Sequence, residues 1–414
     1  MLGFDLDKWE EIIATLTRNK TRSLLTAFSV FWGIFMLVFL MGGAKGVQQL
    51  ISKNFAGFAT NSGFLISNAT EEAYKGFRKG RTWDLTTGDV KRTRQMVPEL
   101  EIVTPSLNSW NNSLAWKTKR TGCSLKGIYP IYTQIETPDV RFGRYINDID
   151  IKERRKVCVI GSKLYEALFD KGEDPCGKFV RVDSVYYEVV GVNYASSNIS
   201  VGGPAEESVT LPFTTMQKMY NKGDKINILC ATAKPGYKMS DLQPKMEQII
   251  KRAHLISPTD KQAIIMVNAE AMFSMMDNLF SGIRMLSWMV GLGTLLAGAI
   301  GVSNIMMVTV RERTVEIGIR RAIGATPRQI LTQILTESIV LTAVSGLAGI
   351  TFAVLLLQGL ETAVSQNNPG IQFQISFWMA VGTALLVIVL GIFAGLAPAF
   401  RAMSIKAIDA IRDE

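Results

Sequence analysis

With 414 residues the chain is long enough for two or three domains of ordinary size, and 48% of it is apolar. Its formal net charge of +9 raises nucleic acid as a partner. The basic residues, however, gather at the ends of apolar runs, and no zinc-finger, homeodomain or helix-turn-helix pattern goes with them, which argues against that class. Four segments contain no Asp, Glu, Lys or Arg: Ser23–Ala44, Met285–Val310, Ser338–Leu360 and Ile371–Phe400. Each exceeds the roughly 20 residues a helix needs to cross a bilayer. The chain therefore reads as an integral membrane protein with four transmembrane helices.

In chain order, residues 1–22 read as an amphipathic helix on the inner membrane surface. Phe4, Leu6, Trp9, Ile12, Ile13 and Leu16 fall near i, i+3, i+4 spacing, and Asp5, Asp7, Lys8, Glu10 and Glu11 fill the other side. Arg18, Lys20 and Arg22 hold the N-terminus inside. The acidic stretch and the long apolar run after it argue against a cleaved signal peptide. Residues 23–46 are the first span. Gly42 and Gly46 form a small-xxx-small pair in it that lets helices approach and is expected to take part in dimer packing, and the helix is expected to continue outward as a stalk.

Residues 47–282 read as a large soluble α/β domain with helical stalks. GFLIS (63–67), GDVKRTRQM (88–96) and ELEIVTP (99–105) read as strand, helix and strand. NILCATA (227–233), SDLQPKMEQIIKR (240–252) and AIIMVN (263–268) repeat that order. Two β-α-β halves suggest a split, ferredoxin-like sheet. Ser240 is the expected cap of the second helix, with Pro244 tolerated in its first turn. Residues from about 111 to 211 form a strand-rich insertion, with strands at 156–161, 178–183, 186–192 and 207–213 and one short helix at 162–169. The fold class is α+β: four transmembrane helices, and between the first and second a ferredoxin-like porter part plus a β-rich insertion.

All four cysteines (Cys123, Cys158, Cys176, Cys230) and the single histidine, His254, fall in this domain. There is no C-x-x-C spacing, so no metal site is expected, and free thiols and one disulfide stay equally open. His254 ends a helix and reads as a helix-dipole contact. Gly172 to Lys178 fits G-x-x-x-x-G-K, but Phe179 follows instead of Ser or Thr and a strand follows instead of a helix. A turn is the better reading, and no ATP site is expected in this chain. No catalytic constellation stands out, so the chain is not expected to be an enzyme.

Residues 283–310 are the second span. Gly293, Ala297 and Gly301 recur every four residues and offer a face for a dimer seam. The sequence then turns charged without a turn signal. Arg311, Glu312, Arg313, Glu316, Arg320 and Arg321 do not belong in hydrocarbon, where each charge costs roughly 3 kcal/mol or more. Five arginines between Arg311 and Arg328 mark the cytoplasmic side. Residues 311–330 are read as a cytoplasmic coupling element. Residues 331–357 and 376–400 are the third and fourth spans, joined by a short outer loop, 358–375, and residues 401–414 are a cytoplasmic tail. Both termini lie inside and the large domain outside.

Several stretches carry a family likeness: NKTRSLLTAFSVFWGI (19–34), the segment from GRYINDIDIKERRKVCVIG to YYEVVGV (143–192), NIMMVTVRERTVEIGIRRAIGATPRQILTQILTESIVL (304–341) and PAFRAMSIKAIDAIRDE (398–414). On these the chain resembles the MacB/FtsX-like ABC transporter permeases, the type VII or mechanotransmission family. The resemblance implies a bacterial inner-membrane protein whose large domain is periplasmic. It implies a second permease, identical or not, and a separate ABC ATPase subunit that carries ATP and Mg²⁺, with no cofactor in this chain. In exporters it adds a periplasmic adaptor and an outer-membrane channel. ATP-driven closure of the ATPase would push on the coupling element through Arg311, Glu312, Arg313, Glu316, Arg320 and Arg321, though the same charges suit a headgroup-anchored face. The expected output is efflux of periplasmic substrate. A lipoprotein-releasing permease and an FtsX-like regulator of cell-wall hydrolases share the topology.

Overall fold

The computed structural model describes residues 20–53, 55–195, 200–366 and 370–405. The helix expected at Phe4–Leu16 and residues 406–414 of the tail lie outside the described residues. The chain forms two units, one of Ser52–Asp277 and one of the segments before and after it.

The first element, α1 (Lys20–Lys53), is an unbroken 34-residue helix. The large unit follows with β1 (Ser62–Ser67), β2 (Leu85–Thr86), α2 (Thr87–Met96), β3 (Leu100–Trp116), β4 (Lys119–Ile128), β5 (Pro138–Gly143), α3 (Asp148–Glu153), β6 (Val157–Gly161), α4 (Ser162–Leu168), β7 (Phe179–Val182), β8 (Val185–Ala195), β9 (Ser208–Pro212), α5 (Phe213–Met219), β10 (Lys225–Ile226), β11 (Ile228–Ala233), α6 (Met239–Ala253) and β12 (Ile264–Asn268). The order β12-β1-β11-β3, every neighbour antiparallel, is the ferredoxin-like arrangement of two β-α-β halves. The two crossover helices, α2 and α6, are tied by His254 Nε2 at 2.8 Å from Asp89 Oδ2. His254 also packs on the Trp83 ring, so a buried carboxylate and an indole hold it, beyond the helix-dipole contact expected.

The insertion departs from expectation. β3 is 17 residues long. It pairs with β11 along Leu100–Ser106 and with β4 along Leu107–Trp116. The register of the β4 pairing then shifts between Ser109 and Asn112, where Asn111 sits at φ 60°, a bulge that bends the strand within that pairing. One strand thus serves both parts, and the sheet runs on as β12-β1-β11-β3-β4-β9-β6-β8-β5, with β7 on β3 and β8. Residue 111 is no boundary. A single buried cluster, including Leu65, Leu107, Leu125, Ile160, Val209, Leu229 and Met246, passes through porter part and insertion alike.

Smaller corrections have local causes. Lys238, not Ser240, is the cap residue of α6. The Ser240 N–H and hydroxyl both donate to Glu270 Oε2 at 3.0 and 2.6 Å. Pro244 therefore falls in the second turn of α6 rather than the first. The strand expected over 207–213 stops at Pro212, and Phe213 opens α5. The loop before β12 is organised by Asp260, which accepts N–H groups from Glu71, Glu72, Gln262 and Ala263 at 2.8 to 3.1 Å.

The chain then enters α7 (Ala269–Glu312), α8 (Thr314–Ala322), α9 (Pro327–Ser365) and α10 (Phe377–Met403). Helices α1, α7, α9 and α10 are each long and apolar enough to cross a membrane. The third begins before residue 331 because Thr326 and Gln329 form a reciprocal capping box with Pro327 at the first position. Glycines set the spacing of the bundle. A Cβ at Gly349 would stand 2.7 Å from the Phe31 carbonyl oxygen, and one at Gly42 2.8 Å from that of Phe373. A Cβ at Gly46 would run into the Phe373 ring. Gly42 and Gly46 are therefore occupied within the chain and are not available for the dimer seam expected of them.

Candidate functional site

Between two membrane-length helices lies the nine-residue helix α8. Arg313 makes the break, with φ −100° and ψ 15°. The Thr314 hydroxyl donates back to Arg311 O at 2.7 Å, satisfying a carbonyl at the end of α7. Gly324, at φ 109°, ends α8 in the left-handed conformation that glycine adopts freely. The Thr326 capping box then starts α9.

One face of α8 is anchored. Ile317 is buried in a cluster with Val302, Met306 and Val310 of α7 and Ile330 and Ile334 of α9. Polar groups ring it. Arg313 Nη1 donates to Glu337 Oε1 at 3.2 Å and Arg313 Nε lies 3.5 Å from Glu316 Oε2. Arg320 donates to Glu316 Oε1 at 2.9 Å and to Gln333 Oε1 at 3.0 Å. Arg321 turns elsewhere, donating to Met403 O at 3.0 Å and to Ile405 O at the end of α10. Of the six charged residues singled out in the sequence, Arg313, Glu316 and Arg320 are thus brought together, Arg321 is held by main-chain oxygens, and Arg311 and Glu312 lie exposed.

The other face of α8 carries Val315, Ile319 and Ile323, four residues apart and all exposed, Ile323 by 83%. Sequence reasoning chose the charges and missed this ridge. It also missed Glu337 and Gln333, which bind those charges. Apolar residues stand at 315, 317, 319 and 323, so periodicity alone does not say which side faces in; the packing of Ile317 does. Glu337 had one signal: it immediately precedes the uncharged run that begins at Ser338.

The second helix keeps an open stripe. Nothing lies within 4 Å of a Cβ built on Gly293 or Gly301, and Ala297 is exposed. Its opposite face meets α1, where a Cβ on Gly291 would strike Leu37. In the large unit, Lys178 of the G-x-x-x-x-G-K stretch sits 2.5 Å from Glu173 Oε1 and over the Trp116 and Phe169 rings. All four thiols are free. Burial pushes Cys123 up to about 12 and Cys176 up to about 11, so neither is a ready nucleophile.

Comparison with known proteins decides the family. Residues 23–249, more than half of the chain, match the MacB-like periplasmic core domain, and residues 288–407 match the FtsX-like permease C-terminal region. The chain belongs to this MacB-like family. It is similar to the macrolide export ATP-binding/permease protein MacB of Bdellovibrio bacteriovorus, 28% identical over 97% of this chain and 60% of that protein. It is similar to the pyoverdine export ATP-binding/permease protein PvdT of Pseudomonas syringae pv. tomato, 26% identical over 96% of this chain and 58% of that protein. The ABC transporter permease YknZ of Bacillus subtilis is 27% identical over 97% of this chain and 98% of its own length. The chain thus spans about 60% of the length of its MacB and PvdT relatives. Among solved structures, the periplasmic region of MacB from Actinobacillus actinomycetemcomitans aligns over 56% of this chain and 99% of its own, with 20% identity and a TM-score of 0.43. This MacB-like chain is an ABC transporter permease: a multi-pass membrane protein whose large periplasmic domain lies between its first and second spans.

Proposed function

We propose that this permease transmits force for efflux: a separate ABC ATPase in the cytoplasm holds ATP and Mg²⁺ and presses on α8, and the motion reaches the periplasmic domain, which expels periplasmic substrate. The observation that carries the reading is the division of α8 into two faces. Arg313, Glu316, Arg320 and Arg321 are bound within the chain, while Val315, Ile319 and Ile323 stand outward. An apolar ridge with exposed Arg311 and Glu312 at its base has the make-up of a protein contact, apolar at its centre and polar at its rim. The arginine-rich setting supports the cytoplasmic side, with both termini there and the chain in the inner membrane. Relatives named for macrolide and pyoverdine export favour efflux over lipoprotein release. In this reading a second permease, identical or homologous, packs along Gly293, Ala297 and Gly301, and a periplasmic adaptor and an outer-membrane channel complete the path.

The test is a pull-down of the full chain with the ABC ATPase that co-purifies with it. Ile319→Glu is expected to abolish capture of the ATPase and to leave the permease folded, since the residue is exposed. Capture and ATP turnover equal to wild type would overturn the reading.

A further inference from the structure

The carboxylate of Glu337 is only 3% exposed and faces the Arg313 guanidinium, itself 17% exposed. An ion pair buried this deeply contributes little net stability, because desolvation offsets most of the Coulomb gain. Apolar residues of the same volume would pack as well. What the pair does supply is direction: charge-assisted hydrogen bonds hold one geometry, where apolar surfaces slide. Its position gives that direction a use. Arg313 is the residue whose backbone breaks α7 from α8, and its side chain reaches across to α9. One turn before Glu337 on α9, Gln333 accepts from Arg320 near the far end of α8. Glu316 joins the two arginines between these points. Helix α8 is thus fastened to α9 at both of its ends, and to the end of α10 through Arg321.

We propose that Glu337 is a positioning residue of the coupling stroke: through Arg313 it fixes α8 to α9, so a push on α8 enters the third span as the motion of one body, and Arg313 is the joint at which the second span turns. The proposal rests on the reading that an ATPase docks on α8. It assigns the transmission of the stroke to a residue on α9 that is apart from the docking ridge.

The variant is Arg313→Met with Glu337→Leu, which removes both charges and leaves neither orphaned in the bundle; Glu337→Gln is the single-site comparison. The full chain in lipid nanodiscs is followed by hydrogen exchange of residues 314–322, and its complex with the co-purifying ATPase by ATP turnover. The expected result is exchange about tenfold faster in α8, an unchanged melting temperature for the double variant, normal capture of the ATPase, and ATP turnover that no longer shifts the distance between spin labels placed at Tyr237→Cys, in a Cys176→Ser background, on two permease copies. Exchange and label shift both as in wild type would overturn the proposal, as would a loss of the label shift that only tracks a fall in melting temperature. Failure of the wild-type chain to capture the ATPase would strike the docking reading instead, and the exchange result would still judge the fastening.

Discussion

A carboxylate that accepts four main-chain N–H groups is a structural charge, and Asp260 is one. Burial alone would raise its carboxyl, but the N–H groups of Glu72, Glu71, Ala263 and Gln262 outweigh that and hold it below the ordinary value. Because the folded value is depressed, this stability is complete above the ordinary aspartate pKa of about 3.9 and is lost as pH falls through the lower folded value. Asp260→Asn is expected to cost about 2–4 kcal/mol at pH 7 and to flatten the loss of stability below pH 4. Denaturant midpoints of the full chain from pH 7 to pH 3 measure both. In the bundle the sensitive residue is Gly349, where the Phe31 carbonyl leaves no room for a Cβ. Gly349→Val is expected to push α1 from α9 and to destabilise the bundle by about 1–3 kcal/mol. A melting temperature unchanged in detergent would contradict the tight crossing.

At the scale of elements, α8 carries the functional reading, and its two faces make unequal predictions. Val315→Glu, Ile319→Glu and Ile323→Glu are each expected to shift stability by no more than about 0.5 kcal/mol, as exposed substitutions do, while weakening capture of the ATPase. Ile317→Glu, placed in the buried cluster, is expected to unfold α8 from the bundle. Equal loss of ATPase capture and equal melting behaviour across all four variants would remove the distinction. How much of this was legible in the sequence follows from the physics of each signal. Uncharged runs longer than a bilayer announce the spans, and the two β-α-β patterns announce the ferredoxin-like order. The continuity of β3 was hidden, because polar Asn108, Asn111 and Asn112 resemble a loop when read along the chain alone. Likewise, short α8 carries apolar residues on two sides, so only the long-range contacts to Gln333 and Glu337 reveal which charges are taken up and which face is open.

At the scale of the molecule, the main sheet of the large domain runs unbroken from porter part to insertion, a buried cluster spans both, and close glycine crossings set the bundle. Three chemistry-bearing groups of the large domain are taken up in structural contacts: Lys178 by Glu173, His254 by Asp89, Lys126 by Glu136 at 2.5 Å. That pattern fits a transmitter of motion, whose working parts are joints and faces. The central claim is therefore mechanical, and the most direct measurement is a distance. In the permease–ATPase complex in nanodiscs, with Cys176 replaced by Ser, spin labels are placed at Tyr237→Cys, an exposed site in the large domain. The distance between the labels of two permease copies is then read with and without ATP. A distribution that shifts on ATP in the wild type and stays fixed in Ile319→Glu is the predicted result. A wild-type distribution that stays the same while ATP is being hydrolysed would contradict the account.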